Sequence, residues 1–378
     1  MSRALAPLVG IVLAASTVVA PLTASPALAA PASAEVCPDR PTAQPSEPPV
    51  LAHFYIWFTR ASWHRAKVDY PAVGRYASDS VSVMQEQVAQ AQAAGIDAFI
   101  VGWKSSVTLN NRLEELRDVA ASSGFKLAIT YQAQDFYRRP LPVERVRQDL
   151  QMLADTYGDD PVFQLFGTRP VVAISGTWHY SEQELRSITA PVASRLMVLA
   201  TEKSVDGYER VAPAVEGELY YWSSADPQKT PGYVAKLVDM ANSVRNHCGV
   251  WVAPVAPGFD ARDVGGHSVV ERRNGATLRA SWQAALASTP DAIGVISWNE
   301  FSENTYVEPS ERYGSRYLDE LAGLTNAPLP TAKELDSSAS DGQRAGTALR
   351  PALSAAAALG LVVTVTVWGF RRRRADRP

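Results

Sequence analysis

Two carboxylic side chains stand three positions apart near the end of the last apolar run, in Ser297-Trp298-Asn299-Glu300-Phe301-Ser302-Glu303-Asn304-Thr305-Tyr306-Val307-Glu308-Pro309. A pair of carboxyls that reach one bond can cleave an acetal: one protonates the departing oxygen and the other acts as base or nucleophile. Side chains alternate between the two faces of a strand, so Glu300 and Glu303 would point opposite ways if the strand continued. For both to face one cleft the chain must leave the strand near Phe301, and the polar Ser302-Glu303-Asn304 supplies a turn. The competing assignment gives one glutamate an ion pair with a neighbouring Arg or Lys and leaves the other in solvent.

The elements that must position this pair are read from residues 50–325. Short runs rich in β-branched and aromatic residues fall at 51–58, 98–103, 126–131, 170–175, 196–201, 218–222, 250–255 and 292–298. Longer amphipathic segments lie between or after them, at 80–94, 109–122, 142–157, 182–190, 233–246, 274–287 and 313–324. Only the link after the fifth strand lacks a helical pattern. Eight strands alternating with helices predict an α/β fold, a (β/α)8 TIM barrel in a single catalytic domain. A doubly wound open sheet is the alternative; it would bring a Gly-rich phosphate loop after an early strand, and none is present. Barrels of this kind build their sites at the C-terminal strand ends. Those ends carry Tyr55 and Trp57, Trp103 and Lys104, Tyr131 and Gln132, Trp178 and Tyr180, Glu202, Tyr220, Tyr221 and Trp222, and Trp298 and Asn299 beside Glu300 and Glu303. Sugar rings have apolar faces and polar edges, so aromatic platforms with carboxylates between them suit a carbohydrate groove. Of these, Tyr55, Trp57, Trp103, Lys104, Tyr131, Gln132, Trp178, Tyr221, Trp222, Trp298 and Asn299 are the substrate-binding candidates. His179 and His267 lack metal-ligand spacing. Asp260, Asp263 and Glu271 are expected to be ion-paired or solvated, and Glu308 to sit at a helix N-terminus.

The termini read differently. Arg3, an apolar stretch at 8–20 and the small-x-small sites Ala27-Leu28-Ala29 and Ala32-Ser33-Ala34 have the layout of a signal peptide over 1–29. A Pro-, Ala- and Ser-rich linker follows at 30–49, and a stalk is expected at 326–350. Residues 352–370 hold no charge and precede Arg371-Arg372-Arg373-Arg374, which predicts a C-terminal transmembrane helix over 351–370 and a basic cytoplasmic tail at 371–378. Leu329-Pro330-Thr331-Ala332-Lys333 resembles a sortase-type wall signal, but Ala332 and Lys333 depart from it and it lies far upstream of the apolar run. A retained anchor is therefore expected: a single-pass cell-membrane protein with its catalytic domain outside. In that oxidising setting Cys37 and Cys248, the only two cysteines, are expected to form a disulfide. The formal charge of −3 points to no nucleic-acid partner. A monomer is expected, with the membrane and a glycan as its partners.

The chain resembles the endo-α-mannosidase family, glycoside hydrolase family 99, and related bacterial wall-polysaccharide proteins of that barrel superfamily. The family's eighth-strand motif has the form Asn-Glu-Trp-x-Glu-Gly-Thr-x-x-Glu-Pro, matched by Asn299 to Pro309. His53-Phe54-Tyr55-Ile56-Trp57-Phe58 resembles its first strand, and Tyr70-Pro71-Ala72-Val73-Gly74-Arg75-Tyr76-Ala77-Ser78 the segment before its first helix. Ala94-Gly95-Ile96-Asp97 with Gly102-Trp103 resembles its second strand. Pro257-Gly258-Phe259-Asp260, Arg273-Asn274-Gly275 and Trp282 resemble its seventh unit. The resemblance implies a retaining hydrolase of α-linked glycans in which Glu300 is the base and Glu303 the general acid/base. The sugar's own 2-hydroxyl would attack the anomeric carbon to give an epoxide, with no cofactor. Phe301, Ser302 and Asn304 replace the family's Trp, His and Gly, and Tyr131-Gln132 stands where the mannosidases carry a substrate-binding Glu. An endo-α-1,3-glucanase-like hydrolase, or an inert carbohydrate-binding or envelope-assembly protein on the same barrel, are the alternatives.

Overall fold

The computed structural model describes Cys37 and residues 47–65 and 67–326. Eight parallel strands form one sheet: β1 (Val50–Tyr55), β2 (Ala98–Trp103), β3 (Lys126–Gln132), β4 (Val171–Ser175), β5 (Met197–Leu199), β6 (Gly217–Leu219), β7 (Val250–Val255) and β10 (Ala292–Val295). Their order is β5-β4-β3-β2-β1-β10-β7-β6, so the last strand enters between β1 and β7. The outer pair β5 and β6 close the ring. Ala200 N–H donates to Gly217 O (2.8 Å), Leu219 N–H to Ala200 O (2.9 Å) and Glu216 N–H to Val198 O (2.8 Å). The remaining strands, β8 (Phe259–Asp260) and β9 (Val269–Val270), make a small antiparallel pair after β7.

Side-chain alternation divides the barrel into two cores. Leu51, Ala98, Ile100, Ala128, Val171, Ala173, Leu199, Leu219 and Val252 pack inside the ring. Their neighbours of opposite parity, among them Phe54, Phe99, Val101, Ile129, Val172, Trp251 and Ile293, pack outward against the helices. Those helices are α1 (Val81–Ala93), α2 (Val107–Ser123), α3 (Val143–Tyr157), α4 (Glu182–Thr189), α5 (Val205–Val211), α6 (Tyr233–Asn246), α7 (Ala276–Ala287) and α8 (Arg316–Leu324). α3 buries Val146, Leu150, Leu153 and Ala154, the spacing of one helical face. Capping fixes several starts: Ser106 accepts from Leu109 N–H, and Ser181 with Glu184 forms a capping box before α4.

The eight expected strands all form, but β5 and β6 are three residues each, and β10 stops at Val295 rather than reaching 298. The link after β5 does hold a helix, α5, which Ser204 caps by accepting from Gly207 N–H. Glu308 is not at a helix start. It is buried and accepts hydrogen bonds from Gln87 Nε2 (2.6 Å) and Tyr76 Oη (3.0 Å). Both Cys37 and Cys248 are disulfide-bonded. No helix among the described residues is long and apolar enough to cross a membrane. The expected signal peptide, most of the linker, the stalk, the transmembrane segment and the basic tail lie outside the described residues.

Candidate active site

Beyond Val295 the chain leaves the sheet through a cis Ile296–Ser297 bond. It then makes a closed loop: Ser297 N–H donates to Thr305 O (2.9 Å) and Val307 N–H returns to Ser297 O (2.9 Å). The turn thus begins before Trp298, several residues earlier than the sequence suggested. Glu300 N–H donates to Ser297 Oγ (2.8 Å), and Asn304 takes a left-handed φ of 53°. Phe301 stacks on Tyr306 with centroids 4.0 Å apart and meets the edge of Trp63, anchoring the loop in a small aromatic core. Arg272 clamps the far side. It donates to the carbonyls of Asn304 (2.9 Å) and Tyr306 (2.8 Å), with its guanidinium over the rings of Tyr306, Tyr313 and Tyr317.

This loop brings Glu300 and Glu303 to one cleft of about 390 Å³ at the C-terminal mouth of the barrel. Tyr55, Trp57, Gln132, Trp178 and Tyr221 line it with them, as do His53, Thr130, Arg138, Ser175, Thr201, Glu202 and Lys203. Tyr55 stacks on Trp57 (4.3 Å) and its hydroxyl lies 3.0 Å from that of Tyr221. Gly102 makes room for the Tyr55 ring: a Cβ there would lie 2.6 Å from Tyr55 Cδ1. Burial lowers the His53 imidazole to about 3, so it is neutral.

The two carboxyls differ electrically. Burial raises both. Glu300 is held back by hydrogen bonds from the Ser302 (2.9 Å) and Glu303 amides and by the Lys67 ammonium, which bonds Ser302 Oγ at 2.6 Å. Glu303, pushed up by burial and then by the charge of Glu300, reaches about 7 despite the opposing charge of Arg138. At neutral pH Glu303 therefore still carries much of its proton, while Glu300 has amide donors and a nearby cation that favour its charged form.

Six residues expected to bind substrate do not line the cleft. Trp103, Tyr131 and Trp222 have the outward parity. Trp103 is buried in the helix-facing core and donates to Asn110 Oδ1 (3.1 Å), Tyr131 donates to Asp149 Oδ2 (2.8 Å), and Trp222 stacks on Tyr233 of α6. Trp298 is buried against Phe99. Lys104 turns its ammonium to the carbonyl of Gln134. Asn299 is also buried, and its place is structural: its amide oxygen accepts from Tyr55 N–H (2.8 Å) and its amide nitrogen donates to Tyr55 O (3.0 Å) and Tyr76 Oη (3.1 Å), pinning β1 to the loop that carries Glu300 and Glu303. His53, Thr130, Ser175 and Thr201 were missed, although each shares the inward parity of Leu51, Ala128, Ala173 or Leu199, which would have found them. Lys67 and Arg138 come from irregular loops and left no such signal. His179 and His267 are not in the cleft, and no group of three or more His, Cys, Asp or Glu suited to a metal occurs among the described residues.

Residues 65–324 match the profile of glycosyl hydrolase family 99. Over 282 residues the chain is 21% identical to the glycoprotein endo-alpha-1,2-mannosidase of Rattus norvegicus, a match covering 66% of this chain and 59% of that enzyme. It is 25% identical over 251 residues to a glucan endo-1,3-alpha-glucosidase of Schizosaccharomyces pombe, covering 62% of this chain and 56% of the other. The chain thus spans about three fifths of the length of these relatives. The fold resembles the solved endo-alpha-mannosidase of Bacteroides thetaiotaomicron with a TM-score of 0.62 at 18% identity, covering 76% of this chain and 98% of that one.

Proposed function

The chain belongs to glycosyl hydrolase family 99, and from that premise we propose that its cleft hydrolyses an α-glycosidic bond within a glycan, with retention at the anomeric carbon. The observation that carries this reading is the pairing of Glu300 and Glu303 in one cleft with their proton affinities set apart by their surroundings. Glu303 delivers its proton to the departing glycosidic oxygen. Glu300 removes the proton of the sugar's 2-hydroxyl, whose oxygen attacks C1 to give a 1,2-anhydro sugar. Water then opens that ring at C1 as Glu303 takes its proton and Glu300 returns one to O2. Two inversions give net retention. The stacked Tyr55 and Trp57 offer an aromatic platform for the sugar beside the pair.

The assay is hydrolysis of α-mannan and α-1,3-glucan oligosaccharides, with 2-deoxy analogues of the mannan at the reacting sugar, since only in the manno configuration does the 2-oxygen stand trans to the departing group. The 2-deoxy compounds should bind and survive. Their efficient turnover, or an inverted product, would sink the mechanism. A glucanase is the second reading, favoured by Gln132 in the cleft and by the Schizosaccharomyces pombe relative, and the same panel separates it from a mannosidase. We also propose export and anchoring, on the strength of the apolar stretch at 8–20 and the charge-free run before Arg371. The full chain should fractionate with membranes, whereas one ending near Ala327 should be secreted. Intact full chain in the culture medium would refute the anchor.

A further inference from the structure

Around the ring, β4 lies four strands from β10 in either direction, so the wall built after β3, β4 and β5 faces the catalytic pair across the mouth. That wall carries two cations, Arg138 and Lys203, with Trp178 beside them. Lys203 Nζ stands 3.7 Å from the Trp178 ring centroid, a cation–π contact. Neither cation is in an ion pair among the described residues. Of the nearby carboxylates, Asp135 is taken by Arg139 and Glu202 by Arg210, and Glu303, which feels the charge of Arg138, makes no ion pair with it. Lys67, the other cation near the site, serves Glu300 from the opposite side.

A neutral glycan laid over this wall would strip water from two charges and return no partner, which is unfavourable. A carboxylate, phosphate or sulfate would return charge-assisted hydrogen bonds, and the guanidinium fork of Arg138 suits the paired oxygens of such groups. We propose that the cleft selects a glycan bearing an anionic substituent, held by Arg138 and Lys203 on a sugar beside Trp178, across the mouth from the bond cleaved. This deepens the hydrolase reading and rests on it for the direction of the chain through the cleft.

Three probes test the inference: an α-linked mannotetraose or glucotetraose, its monophosphate ester, and its monouronic acid. The two charged probes distinguish a phosphate from a carboxylate as the preferred group. In the unaltered protein at low salt, kcat/KM for one charged probe should exceed that for the neutral one by about tenfold, charge pairs of this kind being worth that much or more. The ratio should fall towards one in the double variant Arg138→Gln/Lys203→Gln, and also as salt is raised. A ratio of one in the unaltered protein, or a ratio that the double variant leaves intact, would overturn the proposal. Titration calorimetry of the same probes on the Glu303→Gln protein gives the ratio as Kd, without hydrolysis. Absence of hydrolysis from every probe, with the binding ratio preserved, would therefore count against the hydrolase reading and for the anion site.

Discussion

Glu303 and Glu300 show how two identical side chains in one cleft acquire different surroundings. Both lose water on burial, but only Glu300 receives backbone N–H groups and a nearby ammonium, and its charge then raises Glu303. The rate on a natural linkage should therefore fall on the alkaline side through about 7, as Glu303 loses its proton. Glu303→Gln should cost about 10²–10⁴-fold on unactivated linkages. Its residual turnover of an activated aryl glycoside should lose the alkaline limb. A pH–rate profile of kcat/KM for both proteins checks this, and an unchanged alkaline limb in Glu303→Gln would assign it to another group. His53 is no rival as the acid, because burial strips its proton far below neutrality.

Among the elements, the loop between β10 and α8 depends on Arg272, whose guanidinium spans two carbonyls of that loop and three tyrosine faces. Arg272→Met would leave two backbone acceptors without their donor and should cost about 2–4 kcal/mol of stability. It should also lower kcat more than it changes KM, since Glu303 sits between the clamped residues and Ser302. Chemical denaturation with steady-state kinetics measures both, and a loss under about 0.5 kcal/mol, typical of an ordinary surface change, would mean the clamp is dispensable. None of this clamp was legible in the sequence, because it rests on contacts between distant loops. The strands were legible, since runs such as Ala98 to Trp103 are apolar throughout. What the apolar runs hid was parity. A strand buried on both faces carries no polar alternation, so Trp103 and Tyr131 looked as available as Tyr55. Counting in twos from Leu51, Ala98, Ala128 and Leu219, each on its own strand, separates them. Gln132 and Tyr221 then fall inward, while Trp103, Tyr131 and Trp222 fall outward. Lys67 and Arg138 escape that rule because no strand register reaches them.

For the molecule as a whole, the buried carboxyls set how stability responds to pH. Glu303 and Glu308 are raised to about 7 and about 8 by burial, and Glu300 and Glu218 also move up. Glu303 and Glu308 hold a proton in the native state that the unfolded chain releases near 4.5. The native state thus binds more protons across this window, and stability should be highest near its acidic end and decline as pH rises towards about 8. Thermal unfolding at pH 5.5 and pH 8 should give the higher midpoint at pH 5.5, and Glu308→Gln should make the decline shallower. A midpoint that rises across the window would contradict the assignment. The place of β10 between β1 and β7 has a consequence in time as well as in space. A ribosome releases the first strand some 240 residues before the one that must dock beside it, as Val50 and Ala292 mark. Until then the nascent chain presents two open sheet edges and no carboxylate pair, so catalytic competence and protection from misassembly arrive together, in the last stretch of the domain to be synthesised.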